Sequence, residues 1–306
     1  MTIHLPSHPR SGLDDILSRA GPLPAQFVRA GEVVKKAHIY IAPPDRHLLL
    51  EGEQVALGEG PRENNARPAI DPMLRSTALC CSGRAVGVAL TGTLGDGASG
   101  LWAIRQGGGI AVVQDPEDAA FPENAAHRAE PRQPDHVVSL GDMPRLFESL
   151  VHQPAGEAGA LPRSIAYEVE VARTGRGSMK EMDSIGRRSV LACPDCGGVM
   201  WEIDEEDLLR YRCHVGHTYT AEVMSLALDD SLRRALASSL RALEERVAFA
   251  RKLHRQPIAS GHRLLAQNWA EKAREFEREM EVIRGSIRRI DRIAAVEESK
   301  SAHAAE

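Results

Sequence analysis

Two sets of side chains in this sequence have the types and spacing that do chemistry. The first centres on Asp96, within AVGVALTGTLGDGASG from Ala85 to Gly100. An apolar stretch, Ala85 to Leu90, leads into glycines at Gly92, Gly95, Gly97 and Gly100, and Leu101 to Arg105 reads as the start of a helix. A strand, a tight turn and a helix N-terminus form the place where an open parallel sheet gathers ligands: glycines let backbone N–H groups approach a substrate, and the helix dipole favours negative charge. Two chemistries fit. Gly95 to Gly100 matches the dinucleotide pattern G-x-G-x-x-G, with Asp115 near the end of the next strand as a ribose-binding acid, although Asp96 would then face a pyrophosphate. Alternatively, Asp96 is the acid of a catalytic triad that orients a histidine.

The second set is Cys193-Pro-Asp-Cys196-Gly-Gly and, after sixteen residues, Cys213-His214-Val-Gly-His217. Two short knuckles are what a tetrahedral zinc ion needs from two chain segments. Cys193, Cys196 and Cys213 are three ligands, and His217 is expected to be the fourth, because a side chain four residues on turns back to the metal more easily than His214, which adjoins Cys213. Four protein ligands would close the site and make the zinc structural. A redox-active or simply reduced thiol cluster is the other reading.

The rest of the composition narrows the setting. Lys and Arg number 38 against 43 Asp and Glu, a net charge of -5, so nothing global attracts nucleic acid. No apolar run approaches the roughly 18 residues that span a bilayer, and MTIHLPSHPRS has no signal-peptide core. Cys80 and Cys81 are adjacent in a helical pattern, so the five cysteines suggest a reducing, cytoplasmic setting rather than a disulfide framework. The other histidines, His38, His47, His127, His136 and His152, lack metal spacing and read as exposed or hydrogen-bonded; Arg187-Arg188 and Arg288-Arg289 read as solvated faces.

These residues need elements to hold them. Met1 to Leu5 reads as the end of a strand, and Leu13, Ile16 and Leu17 as a helix ending at Ala20-Gly21-Pro22. His38 to Ala42, His47 to Leu50 and Gln54 to Leu57 read as a small antiparallel excursion turned at Pro43-Pro44-Asp45. Asp71 to Cys81 is helical, Ile110 to Val113 and Val137-Val138 are strands, and Met143 to Val151 is a closing helix. Strands alternating with helices predict an α/β fold with a doubly wound, mainly parallel sheet in residues 1–152. A Pro-, Gly- and Ser-rich linker is expected over 153–190, the zinc ribbon over 191–220, and an α-helical hairpin or tail over 221–306. In that tail Leu232, Leu236, Leu240, Leu243, Val247 and Ala250, then Leu265, Trp269, Ala273, Phe276, Met280, Ile283, Ile287 and Ile290, recur every three or four residues. The stripes are read as packing on each other; self-association through these C-terminal helices is their other use.

The segments IHLPSHPRSGLDDIL, HIYIAPPDRHLLL, NARPAIDPMLRSTA, VGVALTGTLGDGASGLWAI, GGGIAVVQDPEDAAFP and DHVVSL, in this order, resemble the catalytic domain of the chemotaxis protein-glutamate methylesterases of the CheB type over nearly all of Met1 to Val151. The resemblance implies a serine hydrolase that cleaves glutamate methyl esters on methyl-accepting chemotaxis receptors or related chemosensory proteins, and deamidates receptor glutamines. It places the catalytic histidine in His4-Leu5-Pro6 and the acid in Thr91-Gly92-Thr93-Leu94-Gly95-Asp96-Gly97, where Thr93-Leu94 replace the usual Met-Gly. Asn124-Ala125-Ala126 replace the usual Met-Pro-Arg after Phe121. The family's nucleophile lies in a Gly-Ala-Ser-x-Gly-Gly turn after a strand upstream of the histidine, and that motif is not in these residues. Ser7 and Ser11 read as loop and capping serines. The family's first strand is central, so its loss should leave neighbouring strands with unpaired edges; a start placed too late or a shortened gene is the expectation, with no triad-level turnover for this chain alone. A non-catalytic, zinc-containing chemosensory binding or scaffold protein is the alternative. The cysteine module resembles a zinc-ribbon extension found on some such methylesterases ahead of a helical tail.

Overall fold

A computed structural model describes residues 1–4, 11–90, 95–119, 134–206, 208–259 and 263–303. Its chain divides into two units, Met1–Met224 and Ser225–Glu306.

The first unit begins with α1 (Leu13–Ala20) and the strands β1 (Ala25–Phe27), β2 (Ile39–Ile41), β3 (His47–Glu51) and β4 (Gln54–Gly58). Helix α2 (Ile70–Cys81) follows, then β5 (Val86–Ala89), α3 (Ala98–Gln106), β6 (Ile110–Gln114), β7 (His136–Val138) and α4 (Met143–Val151). The apolar runs before and after the Asp96 turn become β5 and β6, which pair in parallel from Val86↔Ile110 to Ala89↔Val113, and β7 extends the sheet in parallel beside β6. Among the described residues β5 pairs on one side only, and Val86 is exposed. Helix α3 is buried from Ala98 to Ile104, as a helix apolar nearly all round must be. It packs with Leu74 and Ala78 of α2, with Ala89, Ala111 and Val113 of the sheet, and with Ile165. A Cβ on Gly100 would lie 2.5 Å from that of Leu74, so glycine is what lets α2 and α3 approach and brings their N-termini together.

The antiparallel excursion is smaller than the sequence suggests. Only β3 and β4 form a hairpin; β2 pairs in parallel with β1, Ala25 opposite Ile39. Pro43 and Pro44 offer no N–H to continue a ladder from β2 towards β3. Met1 to His4 form no named strand; the segment runs beside β2, where Ala42 N donates to Met1 O (3.0 Å).

The region expected to be a linker is part of the first unit. Gly156 N donates to Gly83 O and Gly159 N to Gly107 O, both at 3.1 Å, and α5 (Arg163–Thr174) and α6 (Met179–Ile185) follow. Ile165, Glu168, Val171 and Ala172 form the buried face of α5. An acid in the middle of that stripe, with Pro and Gly before it, hides the helical pattern from a sequence reading. Strands β8 (Arg187–Ala192), β9 (Val199–Glu205), β10 (Leu208–Cys213) and β11 (Thr218–Thr220) then form an antiparallel sheet in the order β11-β10-β9-β8. It carries the cysteine module.

Helix α7 (Ala221–Ala259) leads into the second unit, where α8 (Arg263–His303) runs antiparallel to it. Arg251–Glu277 (2.7 Å), Arg284–Glu244 (3.3 Å) and Arg233–Asp291 (3.5 Å) fix that direction, and Val247, Ala250, Ala266, Ala273 and Met280 are buried. Helix α7 runs through Pro257 and ends two residues beyond it. Among the described residues no helix is long and apolar enough to cross a membrane.

Candidate active site and metal centre

The turn after β5 delivers Asp96 to the N-terminus of α2. Its Oδ2 accepts from Ile70 N (2.7 Å) and its Oδ1 from Asp71 N (3.2 Å), so the carboxylate satisfies two amides that a helix start leaves without intrahelical partners. Asp71, in the first turn of α2, does the converse: its Oδ1 accepts from Gly100 N (2.6 Å) near the start of α3. Each helix start is thus capped by an acid from the other's neighbourhood. Of these amides, Gly100 N lies in the glycine-rich segment where a dinucleotide phosphate would bind, and the Asp71 carboxylate occupies it.

His4 completes the arrangement, its Nε2 2.8 Å from Asp96 Oδ2; the Asp96 side chain is fully buried and that of His4 41% exposed. Burial opposes ionisation of Asp96, but the His4 hydrogen bond and charge, with the amides of Ile70 and Asp71, outweigh it and hold this carboxyl below its usual range. Asp71 goes the other way: burial, and next the charge of Asp96, push it up to about 7. Two neighbouring acids driven apart in this way take different roles, and Asp96 is the anion. Asn64 joins them, its Nδ2 donating to Asp71 Oδ2 (3.1 Å) and to Asp96 Oδ1 (3.4 Å).

Beside this cluster lies a buried network of three arginines and three glutamates. Arg75 of α2 is bonded to Glu63 and reaches Glu168 of α5 at 2.6 Å; Arg210 of β10 bonds Glu168 (2.9 Å) and Glu205; Arg212 reaches Glu63 at 3.2 Å. All six are at most 3% exposed. Burial alone would push Glu168 up, but Arg210, Arg75 and Arg212 together hold it down at about 2. The pairs join β10 of the cysteine-bearing sheet to α2 and α5. Ser99, also fully buried, has its hydroxyl 3.5 Å from Arg75.

The cysteine module brings Cys193, Cys196, Cys213 and His217 together, with one ligand atom of each within 4.8 Å of the others, a group that could hold a metal ion. Cys196 Sγ lies 3.8 Å from Cys213 Sγ, and His217 Nδ1 3.6 and 3.5 Å from the sulfurs of Cys193 and Cys213. Two tight turns do this: Gly197 N bonds Cys193 O (2.8 Å), and Gly216 N bonds Cys213 O (2.9 Å). The hydrogen bond from the Cys213 thiol outweighs burial and, with His217, holds the Cys193 sulfur well below the usual thiol range, so a thiolate is already favoured. His214 is outside the cluster, and a Cβ on Gly198 would lie 2.6 Å from its ring. Asp195 backs the cluster, accepting from Tyr219 Oη (2.8 Å) and lying 3.9 Å from His217 Nε2.

Leu5-Pro6, Ser7, Thr91 to Leu94, Phe121 to Ala126 and His127 lie outside the described residues. Ser11 Oγ accepts from Leu13 N at 3.3 Å, a local turn contact. His47 is buried, bonded to Pro61 O (2.9 Å) and lowered in pKa first by burial. Arg187 and Arg188 pair with Glu202 and Asp183. Sequence reasoning missed Asn64, Asp71 and the arginine–glutamate network. Asp71 looks like an ordinary first-turn acid, and Arg210 and Arg212 alternate as on a solvent-facing strand; only the Asn64-Asn65 pair, with its left-handed tendency, hinted at a special turn.

Comparison with known proteins bears on residues 1–147, which match the sequence model of the CheB methylesterase family. A putative protein-glutamate methylesterase/protein-glutamine glutaminase of Leptospira interrogans (serovar copenhageni) is 39% identical over 120 residues, 38% of this chain and 61% of its own length. The Escherichia coli (strain K12) protein-glutamate methylesterase/protein-glutamine glutaminase is 36% identical over 118 residues, covering 37% of this chain and 34% of its own. The chain thus spans about three fifths or less of these two relatives. The Thermotoga maritima CheB methylesterase catalytic domain superposes with a TM-score of 0.44 at 27% identity, over 49% of this chain and 81% of that one. Residues 1–147, a little under half of this chain, are thus similar to the CheB methylesterase family.

Proposed function

We propose that the first unit carries the histidine–acid half of a protein-glutamate methylesterase site, and that its substrates are glutamate methyl esters, and the corresponding glutamines, on methyl-accepting chemotaxis receptors. One observation carries this reading: His4 Nε2 stands 2.8 Å from the buried, ionised Asp96. With Nε2–H donated to Asp96, Nδ1 is the ring nitrogen that takes a nucleophile's proton and returns it to the departing methoxide, while Asp96 fixes the tautomer and stabilises the imidazolium. The serine for that attack belongs to the Gly-Ala-Ser-x-Gly-Gly turn, which these 306 residues lack, so on their own they should not turn over at a triad's rate.

The cysteine module fits a structural zinc. Tetrahedral bonds of about 2.3 Å to sulfur and about 2.0 Å to nitrogen separate ligand atoms by roughly 3.8 Å (S···S) and roughly 3.5 Å (S···N). The S···S distance of 3.8 Å and the S···N distances of 3.5 and 3.6 Å match those edges. Cys193, Cys196, Cys213 and His217 would hold the ion and Asp195 would orient His217. Its contribution would be to brace the β8–β9 and β10–β11 turns, with no part in proton transfer.

Methanol release from a methylated receptor tests the esterase reading, comparing this chain with one extended at its N-terminus by a strand and a Gly-Ala-Ser-x-Gly-Gly turn. The extended protein should hydrolyse the ester, and His4→Ala should abolish it, by roughly 10⁴-fold or more. Hydrolysis that survives His4→Ala would sink this reading. Receptor binding without hydrolysis by either form would favour the non-catalytic chemosensory alternative.

A further inference from the structure

Between the cysteine cluster and the His4–Asp96 pair stand three residues of β11 and one asparagine. His217, the last residue of the cluster, is followed directly by Thr218, Tyr219 and Thr220. Thr218 O accepts from Asn64 N (2.8 Å), and Thr220 N donates to Asn64 Oδ1 (3.1 Å), so the two threonines hold the asparagine from both its backbone and its amide. The threonines and Asn64 are at most 2% exposed. Thr220 also packs on the Asp96 turn: a Cβ on Gly95 would lie 3.2 Å from its Cγ2. Arg212 ties the same strand to the residue before Asn64, donating to Thr218 Oγ1 (2.8 Å) and to Glu63 (3.2 Å).

The sense of the Asn64 amide follows from these donors. Because Thr220 N–H needs an acceptor, Oδ1 faces β11, and Nδ2 must face the two acids, giving one proton to Asp71 and one to Asp96. An amide is suited to this place: a carboxylate would add a third negative charge, and a side chain without donors would leave two buried acids to face each other. Asn64 also sits at φ +49°, a left-handed conformation that asparagine tolerates better than most residues.

We propose that Asn64 is a positioning residue for Asp96, and that the metal-held turn Cys213–His217, acting through Thr218 and Thr220, keeps its amide in the orientation that the His4–Asp96 pair requires. The second half rests on the zinc reading above; the first does not. Binding of a metal to the four ligands fixes where β11 begins, and release of His217 frees it. The zinc module would then be a brace for the reacting pair as well as for its own fold.

The test uses the full chain, with the hydrogen-bonded ring proton of His4 followed by proton NMR and assigned by its loss in His4→Gln. Asn64→Gly keeps the φ +49° conformation accessible while removing the amide, and is expected to shift or broaden that proton and to raise the titration of Asp96 by roughly one pH unit, with zinc content unchanged. An unchanged ring proton and an unchanged titration would overturn the positioning role. Zinc withdrawn from the wild type by a chelator should reproduce the His4 change while circular dichroism shows the helices retained, and added zinc should reverse it. A His4 signal indifferent to zinc that is demonstrably bound and then removed would overturn the coupling. A chain that binds no zinc would refute the metal reading and the coupling with it, leaving Asn64→Gly to decide the positioning role alone.

Discussion

The His4–Asp96 pair and the Cys3His cluster are assembled in opposite ways. The cluster is made by two turns, each closed by its own backbone hydrogen bonds, and its four side chains fall within 25 positions of sequence, Cys193 to His217. The pair joins residues 92 positions apart, and its acid is held by amides of a helix to which neither residue belongs. A site made from local turns is specified by spacing alone. A site made from distant segments depends on everything that places α2 against the turn after β5, including Asn64 and the arginine–glutamate network behind it.

The contrast is open to breakage at either end. The largest effect is expected from Asp96→Asn in the esterase-competent extended protein: kcat should fall by roughly 10⁴, or about 5.5 kcal/mol of transition-state stabilisation, with KM and zinc content little changed. Steady-state methanol release and zinc analysis on one preparation check it, and equal losses in kcat and zinc would mean that the two sites are not separable in this way.

A smaller effect, on stability alone, is expected at Glu168. Its carboxylate meets Arg75 at 2.6 Å and Arg210 at 2.9 Å with no exposure to water, so Glu168→Gln leaves two buried guanidinium groups short of a counter-charge and should destabilise the first unit by about 3–5 kcal/mol in urea unfolding. A pH dependence accompanies it. Glu168 is held at about 2 against an ordinary 4.5, so its contribution is complete above pH 4.5 and is lost as pH falls towards 2. Stability measured across that window should fall less steeply in Glu168→Gln than in the wild type, and parallel slopes would remove Glu168 from the account.

The same contrast explains what the sequence made legible. The apolar runs around Asp96, the helices Ile70–Cys81 and Met143–Val151 and the two tail helices stand close to where periodicity and breakers put them, because each is set by its own residues. The Cys-x-x-Cys spacing located the cluster for the same reason. Helix Arg163–Thr174 was hidden because its buried face includes Glu168, whose partners Arg75 and Arg210 lie 93 and 42 positions away. Asn64 and Asp71 were hidden likewise: each is an ordinary turn or helix-start residue until Asp96 is set beside it.

The central claim is that Asp96, and not its buried neighbour, is the anion that orients His4. Carbon-13 titration of the aspartate carboxyls in the full chain, with Asp96→Asn and Asp71→Asn for assignment, tests it most directly. Asp96 should stay ionised to below the usual carboxylate range, while Asp71 takes up its proton near pH 7. An Asp96 that is protonated at neutral pH beside an ionised Asp71 would contradict the account.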